Sequence, residues 1–360
     1  MTVDLKPKLV CDIAPKENSI RNSEGAFLKA PNGDILFAYS CFTDDAWDHS
    51  PSNIKMTRSS DNGETWSDEH VMIAPASYFG VKNVMSVSSV YHKNGDLSFY
   101  FCIKENDLTI SYGRAISKDG GATFTPERVR MDMPGRYYLS FNDRIIRTSD
   151  GRLAVSFVYG EDGCNVACVA VSEDDGESFH IIDTSKTSLR YYKNPNLWGE
   201  ISETGLIEIE PGKFWMWMRT EHLFCQYISY SEDNLQTFSQ PEPSMFSSCN
   251  SPCQFIRVDE RQIYIIYNPI PNYNGRADED ETPWGRGRTP LMIRKSLTNG
   301  REWGSYNIIQ QGKGGYCYPS ACMTDDGALL VSYCRGEEED KLCLCRLGIV
   351  KIYDHMTTVK

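Results

Sequence analysis

The chain has 360 residues, 24% charged, 40% hydrophobic and 12% aromatic, an apolar fraction too high for disorder and a length that fits two domains or one large repetitive domain. Lys plus Arg number 37 against 49 Asp plus Glu, a net charge of −12. That charge repels a phosphate backbone and, with no local basic stripe, argues against nucleic-acid binding.

No stretch reaches the roughly 18 consecutive apolar residues that a membrane span requires, so no membrane association is expected. Met1 to Ile20 shows no basic segment followed by an apolar run, and a cytoplasmic location is expected. Thirteen cysteines are scattered from Cys11 to Cys345 without a CxxC pair, which reads as reduced, mostly buried thiols. Cys164/Cys168 and Cys249/Cys253 have no histidine at ligand spacing, so neither a metal nor another cofactor is expected.

Along the chain one frame recurs. Ser59, Asp61, Gly63, Thr65 and Trp66 read S-x-D-x-G-x-T-W. The frame returns at Ser117, Asp119, Gly121, Thr123 and Phe124, and again at Ser172, Asp174, Gly176, Ser178 and Phe179. A fourth copy, Ser231, Asp233, Thr237 and Phe238, has Leu235 at the glycine position. A fifth, Ser296, Gly300 and Trp303, has Thr298 at the aspartate position. The opening serines are 58, 55, 59 and 65 residues apart, a near-constant period that marks a repeat architecture. Each copy reads as a tight hairpin: the Asp accepts backbone N–H groups, the Gly takes positive φ, and the aromatic packs on the sheet.

A second turn series lies ahead of the frames at Asn32-Gly33, Asn94-Gly95, Asp150-Gly151, Pro211-Gly212 and Asp326-Gly327. Apolar runs follow, such as Ile35-Leu36-Phe37-Ala38-Tyr39. In the fifth unit Asp259-Glu260-Arg261 stands there instead, before Ile263 to Tyr267. Each unit therefore reads strand, turn, strand, loop, strand, frame, strand, with no 3.6-residue amphipathic pattern. Six such units fit 360 residues, and radial stacking of four-stranded sheets hides their edges. The expected fold is all-β, a six-bladed β-propeller forming one domain over residues 1–360. The sixth unit, Tyr318 to Asp354, has no frame, and the segment near Leu9–Ile13 is expected to close it.

These repeats and this length resemble the sialidase (neuraminidase) family of BNR or Asp-box glycoside hydrolases. The boxes alone are a folding motif, so activity has to be argued from site residues. Glu203 to Arg219 resembles the family stretch in which a Glu opens a strand and an Arg closes the next. Arg288, leading into the strand before the fifth frame, resembles the family's further Arg. Tyr318, nine residues before Gly327, stands at the family's nucleophile spacing.

What the resemblance implies is a retaining exo-glycosidase acting on an oligosaccharide or glycoconjugate that carries a terminal sialic acid or related acidic sugar. Arginines bind the sugar carboxylate bidentately. A neutral tyrosine, activated by a glutamate, replaces the anionic nucleophile that this carboxylate would repel, and a carboxylic acid protonates the leaving oxygen. In those roles stand Arg21, Arg219 and Arg288 as the clamp, Tyr318 as nucleophile and Glu203 as its base. Asp44, Asp45 and Asp48 all qualify as acid/base, with Asp48 favoured by its spacing from Arg21 and the first frame.

The first segment departs from the family. Arg21-Asn22-Ser23-Glu24 lacks the Arg-Ile-Pro pattern, and Glu24, nearer the expected register, is expected to intrude on the substrate as a substrate-binding residue. The last unit has Tyr333-Cys334-Arg335 where the family often places a Glu to steady the first Arg. Asn142, Asp143 and Arg144 open the third unit at the position equivalent to Glu203, as a candidate glycan contact or a strand-end salt bridge. Arg190, Tyr191, Tyr192 and Trp198 stand in a long insertion ahead of Glu203. The departures leave two alternatives open: a propeller glycosidase for another acidic sugar, and a non-catalytic glycan-binding propeller.

Overall fold

In a computed structural model the described residues are 2–132, 136–189, 201–221, 223–271, 287–340 and 342–357. Arg190, Tyr191, Tyr192 and Trp198 lie outside them. The described residues form an all-β protein whose only helical elements are 3-10 turns at Ala76–Phe79, Glu338–Asp340 and Asp354–Met356.

The strands fall into antiparallel sets of four. The first is Arg21–Lys29, Ile35–Phe42, Ser52–Ser59 and Val71–Ala74. The second is Asn83–Tyr91, Leu97–Asn106, Thr109–Ser117 and Thr125–Asp132. Ile146–Arg147, Leu153–Glu161, Cys164–Ser172 and Ser178–Ser188 make the third. Ile201–Glu210, Lys213–Thr220, Cys225–Ser231 and Glu242–Ser247 make the fourth. The fifth, Gln254–Arg257, Ile263–Tyr267, Leu291–Ser296 and Tyr306–Gln310, is extended by Thr2–Asp4 in parallel. The sixth combines Gly315–Met323, Ala328–Gly336 and Leu347–Tyr353 with Lys8–Ile13 from the other end of the chain. Edge hydrogen bonds join the first three sets into one twelve-stranded sheet, and no sheet closes on itself.

Burial explains the sequence pattern. All eight residues of Ile35–Phe42 are buried, because both faces of an inner strand are covered by neighbouring sets. Only Val129 is buried in the outer strand Thr125–Asp132. Apolar layers lie between consecutive sets: Leu36 with Phe99, Tyr112 with Phe157, Val169 with Met216, Trp217 with Phe255, and Ile266 with Tyr333. A further layer, Phe37 with Leu330 and Cys334, joins the sixth set to the first. Each large side chain enclosed there contributes roughly 1.5–3 kcal/mol.

The repeated frames share one bonding pattern. Gly63 N–H donates to Ser59 Oγ at 2.9 Å, Thr65 N–H donates to Asp61 Oδ1 at 2.9 Å, and Thr65 Oγ1 donates to Asp61 Oδ2 at 2.6 Å. The fourth copy keeps it, Leu235 N–H reaching Ser231 Oγ at 3.1 Å, although Leu235 must adopt φ 73° without glycine's freedom. In the fifth, Thr298 Oγ1 takes the aspartate's place and accepts the Glu302 N–H at 2.8 Å. The side-chain oxygens rather than the glycine define the turn.

Trp217 is fully buried and packs over Gly205, where an added Cβ would lie 2.1 Å from the indole ring. Gly205→Ala is therefore expected to destabilise the protein by about 1–3 kcal/mol through overpacking, measured as a lowered urea midpoint with an unchanged slope.

Candidate active site

One backbone irregularity recurs where the first strands of the sets begin. Glu24, Ser86, Asp143, Glu203 and Tyr318, one from each of five sets, have φ between 44° and 65°. This is the left-handed region, sparsely populated by residues with a Cβ. The strand register slips at the same places, between Ser23 and Ala26, Met85 and Ser88, Ser202 and Gly205, and Cys317 and Ser320. Each is a β-bulge, which re-aims one side chain out of the alternating pattern. The bulges bring residues of distant sets into contact.

The Tyr318 hydroxyl donates to Glu203 Oε1. Arg219 Nη1 lies 2.6 Å from that oxygen and 3.5 Å from the tyrosine oxygen. Glu203 is buried, and its Oε2 has no protein partner. Arg219 also donates through Nε to Asn250 Oδ1 and through Nη2 to Glu221 at 3.3 Å. Arg288 lies over the Tyr318 ring at 5.5 Å. Its Nε donates to the Asn250 carbonyl at 3.1 Å, and its Nη1 to the sulfurs of Cys317 and Cys343 at 3.4 and 3.7 Å. Burial, with Glu203 adding to it, holds the Tyr318 hydroxyl well above the usual tyrosine value, while Arg219 and Arg288 oppose that rise. Tyr318 thus rests as a neutral hydroxyl pointed at a carboxylate.

Arg21 lies in a second cluster. Its guanidinium donates to Ser23 Oγ at 2.9 Å, the Ala46 carbonyl at 3.0 Å, Asp48 Oδ1 at 2.5 Å and Glu24 Oε1 at 2.8 Å. Glu24 Oε2 accepts from Ser86 Oγ at 2.9 Å. Burial raises Glu24, and burial would raise Asp48 too, but the contact with Arg21 outweighs it and Asp48 lies below the usual carboxylate value. Asp44 and Asp45 are exposed, and of the three candidate aspartates Asp48 is the one on Arg21. Its side chain is 59% exposed against 1% for Arg21, so solvent reaches the acid and not the arginine.

Lys104 is an addition that the sequence reading missed. It is buried and donates through Nζ to the Asp48 carbonyl at 2.5 Å, and burial lowers it from the usual lysine value. It stands near the end of the second strand of its set, as Arg219 does, the one signal that could have found it.

The third-unit triplet divides. Asn142 is enclosed and donates to the carbonyls of Gly25 and Pro319, both at 3.4 Å, so it ties three sets together. Arg144 is enclosed on Gln254 and the Cys253 carbonyl, 5.4 Å over Trp217. Asn142 Nδ2 and the Arg144 Nη groups are spent on protein, whereas Asn142 Oδ1 and Arg144 Nε have no protein partner. Asp143 is half-buried and accepts from Gln254 Nε2 at 3.3 Å. Arg335, where a glutamate was sought, pairs with Asp12 and Glu337, and Glu24 supplies the counter-ion that Arg21 lacks from the last unit. Among the described residues no group of three or more His, Cys, Asp or Glu is placed to hold a metal.

Residues 88–331 match the BNR repeat-like domain. The chain belongs to that family. No curated protein matches the sequence. Among solved structures, a Hadza microbial sialidase aligns at TM-score 0.72 and 18% identity, covering 93% of this chain and 66% of that one. A protein of unknown function from Dyadobacter fermentans aligns at 0.70 and 16%, covering 97% and 99%. The leech intramolecular trans-sialidase aligns at 0.73 and 13%, covering 98% and 71%. At these identities the likeness is one of fold.

Burial pushes the Asp143 carboxyl up to about 6 from 3.8. A folded value above the unfolded one means that its favourable contribution is complete below about pH 4 and is lost as pH rises through about 6. Asp143→Asn is expected to melt close to the wild type at about pH 4 and above it at about pH 8, in a pH series of thermal scans.

Proposed function

We propose that the six sets are the blades of a six-bladed propeller and that the chain is a retaining exo-glycosidase cleaving terminal sialic acid, or a related acidic sugar, from glycans. The ring of apolar layers, in which the last set packs on the first, supports the architecture. A single contact carries the chemistry: the Tyr318 hydroxyl on Glu203, with Arg219 on the same carboxylate.

In this reading the sugar carboxylate is received by the arginines Arg21, Arg219 and Arg288, and the anomeric carbon lies over Tyr318. Glu203 takes the phenolic proton as Tyr318 attacks, and Asp48 gives its proton to the departing glycosidic oxygen. A glycosyl-tyrosine results. Water then attacks the same carbon, Asp48 accepts the water's proton, and Tyr318 leaves and regains its own from Glu203. The configuration is retained after two displacements. Asp48 must enter this cycle protonated, against the pull of Arg21. An arriving anion that also excludes water raises it.

A second reading, another acidic sugar, is favoured by Glu24, whose carboxylate already occupies Arg21.

Tyr318→Phe is expected to lose hydrolysis of a fluorogenic sialoside while still binding the free sugar, and Glu203→Gln to slow it about 10²–10⁴-fold. Full activity of Tyr318→Phe removes the nucleophile assignment. Wild-type turnover of uronosides but not sialosides moves the substrate to the second reading. No turnover of any acidic glycoside by the wild type leaves a glycan-binding protein.

A further inference from the structure

The three arginines differ in what already neutralises them. Arg21 is 1% exposed. Four of its five N–H groups are taken by Ser23, Ala46, Asp48 and Glu24, and its face is stacked on Phe42 at 4.4 Å. Both of its anionic partners belong to the protein. Arg219 shares Glu203 and Glu221. Arg288 makes its contacts with the Asn250 carbonyl, two thiol sulfurs and the Tyr318 ring, and no carboxylate lies among those contacts. An incoming anion is drawn most strongly to a buried cation that lacks a fixed counter-ion.

The partner of Arg21 is also built in. Glu24 is buried at a left-handed bulge, with one oxygen on Arg21 and the other on Ser86, itself the bulge residue of the next set. Drawing Arg21 toward a substrate would strand that carboxylate in the interior, unpaired and out of water. The remaining direction in which Arg21 acts is outward, where Nη1 holds the exposed Asp48.

We infer that Arg21 and Glu24 form a fixed ion pair that positions Asp48 instead of binding substrate, and that the sugar carboxylate is received by Arg288 together with Arg219. The inference rests on the glycosidase reading above. It makes Arg21 a positioning residue and leaves a two-arginine receptor where three arginines were expected.

The test compares Arg288→Gln with Glu24→Gln and with the paired change Arg21→Met plus Glu24→Leu, which removes both charges together and avoids a stranded carboxylate. Binding of 2,3-didehydro-2-deoxy-N-acetylneuraminic acid and of glucuronate is measured by calorimetry on variants whose melting shows them folded. Arg288→Gln is expected to weaken the bound sugar acid roughly thirtyfold or more. Glu24→Gln and the paired variant should stay within about threefold of wild type, while the paired variant loses about 10²-fold in kcat with little change in KM. Its pH limb set by Asp48 should move to higher pH, since the acid has lost its cation; a merely structural role would leave that limb in place.

Loss of binding by the paired variant as large as that of Arg288→Gln overturns the inference. So does tighter binding by Glu24→Gln, which would mean that Arg21 becomes a clamp once released. Binding of glucuronate alone changes the substrate assignment and leaves the comparison of variants to be read on that sugar. Failure of both sugar acids to bind wild-type protein overturns the receptor itself.

Discussion

A left-handed residue near the start of a first strand costs of order 1–3 kcal/mol when it carries a Cβ, and the described residues include five. Strain of that kind persists only where the surroundings hold it. Here the holding groups are the site itself: Glu24 on Arg21 and Ser86, and Glu203 on Arg219 and Tyr318. Without the bulges these side chains would follow the strand alternation into the apolar layers between sets. The same irregularity therefore keeps the core continuous and frees one polar side chain in each of five sets to meet its counterparts.

Because the bulged residues are buried, their charges have to be arranged in pairs. Arg21 with Glu24 and Arg219 with Glu203 each place a guanidinium within 2.8 Å of a carboxylate. Such pairs contribute little net stability compared with apolar packing, but breaking one by removing a single partner costs about 3–5 kcal/mol. The site is thereby made rigid rather than strongly stabilising, which suits a site whose groups must stay in place when a ligand replaces water. Arg144 is held differently, stacked on Trp217 and bonded to Gln254 with no carboxylate among those contacts.

Much of this was legible because the repeat is written in local chemistry. Ser, Asp, Gly and an aromatic at fixed offsets define a hairpin whatever lies around it, and the hairpin lengths then carry Glu203 and Arg219 to one rim. The pairing of Lys8–Ile13 with Leu347–Tyr353 followed from counting strands. What stayed hidden depends on contacts between sets. Ser86 has no chemical mark in its sequence, yet it meets Glu24 across 62 positions of chain. Glu24 looked like an intrusion because of its register in the first segment, while the partner of Arg21 was expected from the last unit. Asn142 and Arg144 read equally well as ligands or as struts, and their enclosure on partners from other sets is not written in the local sequence.

Depth separates the two proposed reacting groups. Tyr318 is 8% exposed in its cluster with Glu203 and Arg219, whereas the Asp48 side chain, on Arg21, is 59% exposed. A nucleophile gains from being dry, since its charge develops only during attack and the adjacent Arg219 and Arg288 are unscreened there. An acid that serves twice needs the opposite. Once the leaving group has gone, the space it vacated must fill with the water that Asp48 will deprotonate, and that water enters from the solvent side. A carboxyl buried as deeply as Glu24 could donate once but would be cut off from the second proton. In the proposed double displacement the exposure of Asp48 and the enclosure of Tyr318 are thus two requirements of one reaction, and Arg21, through its contact with Asp48, would hold the acid at the solvent side.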